Sequence, residues 1–329
     1  MVHNPVISQH QQSANTSVNV QSDEHHRSVY LEQESPRISV VIPHYNDLES
    51  LCQCLELLTR QTLSLEQVEV IVVDNNSTIG IEAVRAAVSD IFNAQTNQSI
   101  TVIQALEQGA AIARNVGVSV ARSPILAFID SDCRPAPDWL EKGCEAMDAS
   151  DIDIIGGQVF TVPQRQDHPS AVEAFELVFA FQNEVYVKEV GFSVTANMFV
   201  KRDIFHQVGA FRTGLSEDKD WGQRAGAMGY TMDYRDNVII DHPARSNWPE
   251  LRQKWKRLTH EEYILRQARG LGQLNWLAYA VLIFCSPFIH VIKVLKFRGL
   301  SPMAKLKATL VLFRIRFYRS WNALCLLGQ

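Results

Sequence analysis

Apolar and polar positions alternate in blocks along the first half of the chain. Residues 38–43 form a short apolar run, and a helical pattern follows over 48–59. The same alternation recurs as 68–73 then 81–92, 100–104 then 108–121, and 125–129 then 137–147. Short apolar runs set between helices predict strands buried on both faces of a mostly parallel sheet. The predicted class is therefore α/β. The second half is less regular. Strands are predicted at 152–159, 194–200 and 238–240, and helices over 171–187, 219–229 and 248–269. No internal repeat stands out.

Ligands of such a sheet sit at the carboxyl ends of the strands, and polar residues gather there. The first strand ends in Pro43, His44, Tyr45, Asn46 and Asp47. The second ends in Asp74, Asn75, Asn76 and Ser77, and the fourth in Asp130, Ser131 and Asp132. One Asp after a strand commonly caps the next helix. Three such clusters on one edge predict a binding site.

The C-terminal pattern is different. Between Arg269 and Lys293 lie 23 residues without Asp, Glu, Lys or Arg. Residues 274–292 come close to the roughly 20 apolar residues that a membrane span needs, with Pro287 and His290 as interruptions. Lys293, Lys296 and Arg298 follow, as at a cytoplasmic membrane face. A second apolar stretch, 308–327, is broken by Arg314, Arg316 and Arg319. At helical spacing Lys305, Thr309, Arg316 and Arg319 share a face, while Lys307 and Arg314 fall nearly opposite. One or two helices lying in a membrane interface are expected; a helical hairpin covering the α/β domain is the alternative.

Charge sharpens this reading. The chain of 329 residues has a net charge of −5, but residues 251–329 carry 14 Lys+Arg against 2 Asp+Glu. An acidic body with a basic, apolar end predicts a membrane surface as partner, at the cytoplasmic face of the plasma membrane. Nucleic acid is not expected, because no recognition pattern accompanies the charge. With 46% hydrophobic and 20% charged residues, the chain is neither wholly disordered nor a disulfide scaffold. Its six cysteines form no CxxC pair and read as reduced thiols. Residues 1–36 contain 18 Gln, Ser, Asn or His and no apolar run, which predicts a disordered polar tail. Its His3, His10, His25 and His26 read as solvated rather than metal-binding.

The order of these clusters resembles a family. The segments Ile38-Ser-Val-Val-Ile-Pro-His-Tyr-Asn-Asp47 and Val70-Ile-Val-Val-Asp-Asn-Asn-Ser77 are similar to the opening of a family 2 glycosyltransferase of GT-A fold. Gly109-Ala-Ala-Ile-Ala-Arg-Asn-Val-Gly117 resembles the segment that follows in that family. Asp130-Ser-Asp132 resembles its DxD motif. Val208-Gly-Ala-Phe211, then Ser216-Glu-Asp-Lys-Asp-Trp221 and Arg224, resembles its acceptor-side segment. The resemblance covers about 37–243. It implies a GT-A domain over 37–245, with a nucleotide-binding half over 37–132 and an acceptor half over 133–245. A basic, apolar helical region over 246–329 follows.

The resemblance implies an inverting transfer of a sugar from a nucleotide-diphosphate donor, a uridine diphosphate sugar, to a saccharide or polyprenyl-linked acceptor. Pro43, Tyr45, Asn46, Asp47, Asp74, Asn76, Arg114, Asp130 and Ser131 then bind the nucleotide. Asp74 accepts from the base, and Arg114 pairs with a phosphate oxygen. Pro43 and Tyr45 either flank the base or only form a rigid turn. A hard divalent cation, Mg²⁺ or Mn²⁺, stabilises the departing diphosphate and takes oxygen ligands. Asp132 is its expected ligand, with Asp130 reaching the metal through water or holding the ribose. His242 resembles a histidine that completes this site in some GT-A enzymes, or else it packs. The motif is expected on a turn just past the strand. Asp218 is the expected general base, with Glu217 holding the acceptor. Trp221 and Arg224 are assigned to the acceptor, Trp221 with core filling as its alternative role.

The family's processive members carry Gln-x-x-Arg-Trp after this segment, where the chain has Arg252-Gln-Lys-Trp-Lys-Arg257. The departure predicts one sugar added per encounter. The first strand lacks the Gly-rich loop of a nucleotidyltransferase and the G-x-G-x-x-G of a dinucleotide enzyme, and no P-loop is present. A non-catalytic nucleotide-sugar-binding or scaffold protein of the same fold is the rival of a different class. It would show gaps in the carboxylate set, and none appears.

Overall fold

The computed structural model describes residues 35–92, 99–149, 151–165 and 168–327. Most of the polar tail, with its four histidines, lies outside the described residues. Residues 35–329 form one compact unit.

The first half is built as the pattern predicts. Strand β1 (Ile38–His44) leads to α1 (Leu48–Leu58), β2 (Val68–Asp74) to α2 (Ile81–Phe92), and β3 (Ser99–Gln104) to α3 (Ala110–Val120). Next come β4 (Ile125–Phe128), the short β5 (Arg134–Pro135) and α4 (Trp139–Asp148). The strands lie in the order β3-β2-β1-β4 and all pair in parallel. Both faces are covered, which is why these strands read as unbroken apolar runs. Val40 and Ile42 of β1 pack with Leu51 and Leu55 of α1 and Trp139 of α4. Val41, between them, packs on the other face with Val118 of α3 and Phe128. Gly117 lets α3 press on the sheet, because a Cβ there would stand 2.5 Å from Val41 Cγ1.

The second half departs from simple alternation. It contains β6 (Ile154–Val162), α5 (Ala171–Phe179), the single turn α6 (Asn183–Val185), β7 (Met198–Lys201), α7 (Arg202–Val208), α8 (Glu217–Ala227) and β8 (Met232–Pro243). The helix expected over 171–187 ends at Phe179, and a π-helical turn spans Tyr186–Val190. Strand β7 runs antiparallel to both β4 and β6. The sheet order is β3-β2-β1-β4-β7-β6-β8-β5, so the sheet is mixed. Asn197, fully buried, ties the layers together. Its Oδ1 accepts from Trp139 Nε1, and its Nδ2 donates to the carbonyls of Gln158 and Val238, each at 2.9 Å.

Three long helices close the chain: α9 (Trp248–Ala268), α10 (Gln273–Lys296) and α11 (Pro302–Leu326). Asn247 caps α9 by accepting from Glu250 N at 3.1 Å. Helices α10 and α11 form an antiparallel hairpin. Trp276 Nε1 donates to Ala323 O at 2.7 Å, and Ser320 Oγ donates to Ala280 O at 2.9 Å. Phe175 and Phe179 of α5, Leu251 of α9 and Leu312 and Ile315 of α11 share a core, so α11 lies against the α/β body. Pro287 does not break α10. Proline cannot bond the carbonyl one turn back, and Ser286 Oγ donates to that carbonyl, Ile283 O, at 2.7 Å.

Helix α10 is the one described helix long and apolar enough to cross a membrane, with a mean hydropathy of 1.9. Its outer face is bare: Leu274, Leu282, Phe288 and Ile289 are exposed, as are Leu306, Leu310 and Trp321 of α11. The sequence offered a membrane face or a covering hairpin as alternatives. The structure has a covering hairpin, and that hairpin carries an apolar outer face.

Candidate active site

A cleft of about 710 Å³ opens at the carboxyl ends of the parallel strands. Its walls bring together residues far apart in sequence, among them Pro43, Tyr45, Asp47, Arg114, Asp130, Ser131, Asp132, Glu217, Asp218 and His242.

The loops after β1 and β2 are locked to each other. Asn46 and Asn76 both hold positive φ, 57° and 62°, which Asn tolerates better than most residues. Asn46 Oδ1 accepts from Thr78 N at 2.8 Å, and Asn46 N donates to Ser77 Oγ at 2.9 Å. Neither asparagine side chain lines the cleft. Of these two expected nucleotide-binding residues, Asn46 is engaged by the neighbouring loop and Asn76 is an exposed turn residue. Asp47 caps α1, accepting from Ser50 N at 3.1 Å, while still facing the cleft. Asp74 is fully buried at the end of β2. Its Oδ2 accepts from Ser77 N at 3.2 Å, and its Oδ1 has no partner. Above it, Gln108 Nε2 donates to Tyr45 Oη at 3.0 Å. That bond joins the loops after β3 and β1, the two strands that flank β2.

Asp130, Ser131 and Asp132 lie on a turn past β4, closed by Cys133 N donating to Asp130 O at 3.0 Å. Both carboxylates face the cleft from this turn. Asp132 Oδ2 stands 3.6 Å from His242 Nε2. His242 Nδ1 donates to Pro243 O at 2.8 Å, which leaves Nε2 as the free acceptor toward Asp132. A metal-binding histidine is held in this way by its second nitrogen. Asp132, Cys133 and His242 offer ligand atoms within 4.8 Å of one another. Burial pushes the Cys133 thiol well above its usual range, so the donor set for a hard cation is Asp132 and His242. Burial, with Asp130 adding to it, raises the Asp132 carboxyl against the pull of His242. These residues fit a divalent cation.

Arg114 differs from expectation. It is 4% exposed, and its guanidinium holds two carboxylates, Asp130 at 2.5 Å and Glu217 at 3.0 Å. It therefore joins the metal-side turn to the first turn of α8 rather than offering itself to a phosphate. Glu217 and Asp218 sit in that first turn, after the N-cap Ser216. Burial, then the neighbouring Glu217, pushes the Asp218 carboxyl up to about 7, despite the bond from Lys219 N at 2.7 Å. A recessed carboxylate with that affinity is suited to take a proton near neutral pH.

Trp221 and Arg224 are not in the cleft, which corrects their assignment to the acceptor. Trp221 is fully buried, stacked 5.4 Å from Phe205, and its Nε1 donates to Gly209 O at 2.9 Å. Arg224 donates to Asp220 at 2.9 Å and to the carbonyls of Val208 and Ala210. They lie one and two helical turns beyond Glu217 on α8, past the first turn that meets the cleft, and project into the core and onto the 208–210 turn.

The sequence reading missed a basic wall. Arg245, Lys254 and Arg257 line the cleft, with Glu261 beside them. Glu176, 1% exposed, accepts from Lys254 Nζ at 3.0 Å and from Arg245 N at 3.0 Å. Burial lowers the Lys254 ammonium to about 8 against the pull of Glu176. The spacing of 254, 257, 258 and 261 marks one face of a helix; it was legible, but only as a face without a partner. His44, Phe181 and Tyr186 also line the cleft. Both ring nitrogens of His44 are buried and unpartnered.

Comparison with known proteins gives the same architecture. The family model "Glycosyl transferase family 2" matches residues 39–209, and "Glycosyl transferase family group 2" matches 125–326. Glycosyltransferase AglE of Haloferax volcanii is 35% identical over 213 residues, covering 64% of this chain and 68% of AglE. Glycosyltransferase GlyG of Streptococcus pneumoniae is 32% identical over 126 residues, covering 38% of this chain and 40% of GlyG. The solved mannosyltransferase PcManGT from Pyrobaculum calidifontis, in complex with GDP-Man and Mn²⁺, superposes with a TM-score of 0.60 at 18% identity. That match covers 88% of this chain and 86% of PcManGT. With its strand order, its cleft and these matches taken together, the chain belongs to glycosyl transferase family 2 and is a glycosyltransferase of GT-A fold.

Proposed function

We propose that this glycosyltransferase moves one sugar per encounter, with inversion, from a uridine diphosphate sugar to a saccharide carried on a polyprenyl-type membrane lipid. The observation that carries the reading is the shared cleft of Asp132 and Asp218. One is set beside His242 for a cation, and the other is raised to about 7 for a proton.

Asp218 takes the proton of the acceptor hydroxyl. The freed oxygen attacks the anomeric carbon, and the carbon–oxygen bond to the diphosphate breaks on the opposite side. The electron pair leaves with the nucleoside diphosphate. Glu217, fixed by Arg114, orients the acceptor. Asp132 and His242 would hold Mg²⁺ or Mn²⁺, which would supply positive charge against the departing diphosphate. Arg245, Lys254 and Arg257 add cationic groups to the same wall. Asp74 keeps one carboxylate oxygen free, which suits the single N–H of a uracil edge. Pro43, Tyr45, Asp47 and Ser131 line the cleft, whereas Asp74 is fully buried and is not among its lining residues. The apolar face of α10 and α11 supports a location at the cytoplasmic surface of the plasma membrane, where a lipid-linked acceptor would present its saccharide.

The test is a thermal-shift panel on detergent-purified protein, with UDP, GDP, CDP and dTDP, each with and without Mn²⁺. A ligand at 100 times its dissociation constant adds about 2.7 kcal/mol of stability. A Mn²⁺-dependent shift for UDP that vanishes in Asp132→Ala supports the reading. A shift for GDP alone overturns the uridine assignment, and no shift for any nucleotide favours the scaffold protein.

A further inference from the structure

Helix α11 carries one buried and one partly buried arginine, neither in an ion pair among the described residues. Arg319 is 6% exposed, and its guanidinium lies 3.9 Å from the ring centre of Trp255; Arg316 lies 5.7 Å from the same ring. Arg319 Nη2 donates to Tyr279 Oη at 3.2 Å, and Arg316 Nη2 stands 3.5 Å from His290 Nδ1. Neither makes an ion pair among the described residues, and the Nε of each is buried without a partner. Arg114, equally buried, has two carboxylates. Glu262 is within electrostatic reach of Arg319, but it already serves Lys219 and Arg266, each at 2.8 Å. Burial and the neighbouring Arg319 lower the Arg316 guanidinium to about 10.

A buried cation without a counter-ion is costly, and stacking on one tryptophan offsets only part of that cost. Two such cations side by side fit a dianion of forked geometry, which guanidinium groups recognise through paired hydrogen bonds. Their position suggests which dianion. They lie in the helical pair whose other face is apolar and exposed. Tyr186, which lines the cleft, is within electrostatic reach of Asp218 as well as of Arg316 and Arg319. Arg316 is the partly exposed member of the pair, with Arg319 behind it.

We propose that Arg316 and Arg319 form a second anion site, which binds the phosphate of the lipid-linked acceptor apart from the donor diphosphate. The proposal rests on the lipid-linked acceptor put forward above. Phosphate capture here would hold the lipid in the membrane face while its saccharide reaches Asp218.

Binding is measured on the full chain in detergent micelles with undecaprenyl phosphate, undecaprenol, phosphatidylglycerol or inorganic diphosphate. Undecaprenyl phosphate is expected to bind at least tenfold tighter than undecaprenol, and Arg316→Gln or Arg319→Gln to remove that difference. Arg314→Gln, which alters an exposed arginine stacked on Trp248, is expected to keep it. Equal binding of undecaprenol, or a difference that survives both variants, overturns the site. So does inorganic diphosphate or phosphatidylglycerol binding as well as undecaprenyl phosphate, since the site then reads a free anion or bulk headgroups. Should the variants fail to fold, hydrogen exchange on the unmodified chain decides. Protection of residues 312–323 by undecaprenyl phosphate over undecaprenol is expected, and protection confined elsewhere overturns the proposal. The Mn²⁺-dependent nucleotide shift, read on the same samples, separates the two claims. Its absence beside a preserved undecaprenyl phosphate response sinks the donor reading and leaves this site standing.

Discussion

Asp218, the proposed general base, also carries a stability cost. Its folded carboxyl holds a proton up to about 7, whereas the unfolded group releases it near 3.8. Between those values the folded state binds more protons than the unfolded one, so this group's contribution to stability falls as pH rises from about 4 to about 7. Asp218→Asn removes that cost. The variant is expected to lose transfer by about 10²–10⁴-fold, to keep its Mn²⁺-dependent nucleotide shift, and to melt higher than the parent above pH 7. The parent's turnover is expected to fall below about pH 7 as the base protonates. A pH series of melting curves and initial rates checks both; a variant that melts lower at every pH contradicts the account. Arg114 predicts the opposite balance. Arg114→Ala leaves Asp130 and Glu217 facing each other without their shared cation. Removing one member of a buried ion pair costs about 3–5 kcal/mol, to be read as a lower denaturation midpoint. The carboxylates were legible as a strand-end series. Arg114's partners were not, because Asp130 and Glu217 lie 16 and 103 positions away.

At the scale of elements, α8 and α9 divide what the sequence could and could not reveal. The Glu217-Asp218 step was recognisable, because acidic residues in a first helical turn have both a structural reason and a chemical one. Trp221 and Arg224 were assigned to the same site because they follow closely. The rise of a helix, about 1.5 Å per residue, carries them about 6 and 10 Å along α8 from Glu217, beyond the cleft and against Phe205 and the 208–210 turn. Helix α9 is the converse case. Its basic spacing was visible, but only folding brings Lys254 and Arg257 opposite Asp132. Arg257→Gln is expected to raise the donor KM by roughly tenfold with kcat little changed, about the 1.4 kcal/mol of one exposed charge-assisted contact. Steady-state kinetics against donor concentration checks this. A change in kcat alone would place Arg257 on the acceptor instead.

At the scale of the whole molecule, the catalytic body carries a helical layer with an apolar outer face. The hairpin of α10 and α11 packs through α5 on the catalytic body and leaves leucine and phenylalanine side chains bare. Its flanks carry Lys293, Lys296, Arg298, Lys305 and Lys307. Apolar insertion with basic flanks predicts binding to anionic vesicles that weakens, without vanishing, as salt rises. The double substitution Leu282→Glu, Phe288→Glu is expected to abolish flotation with such vesicles while leaving the Mn²⁺-dependent nucleotide shift intact. Unchanged flotation would mean that the exposed face has another use.

The sequence by itself determined the α/β class, the parallel half of the sheet, the order of the carboxylate clusters and the apolar C-terminal end. These depend on local periodicity and on residues at strand ends, and both are written within a few neighbouring positions. Only the tertiary structure decided which way β7 runs, that the first turn of α8 alone meets the cleft, that Arg114 binds carboxylates, and that α9 supplies a basic wall. It also turned Arg316 and Arg319 inward. Each of these is a contact between segments distant in the chain, and the direction in which a side chain points is fixed by what packs against its element.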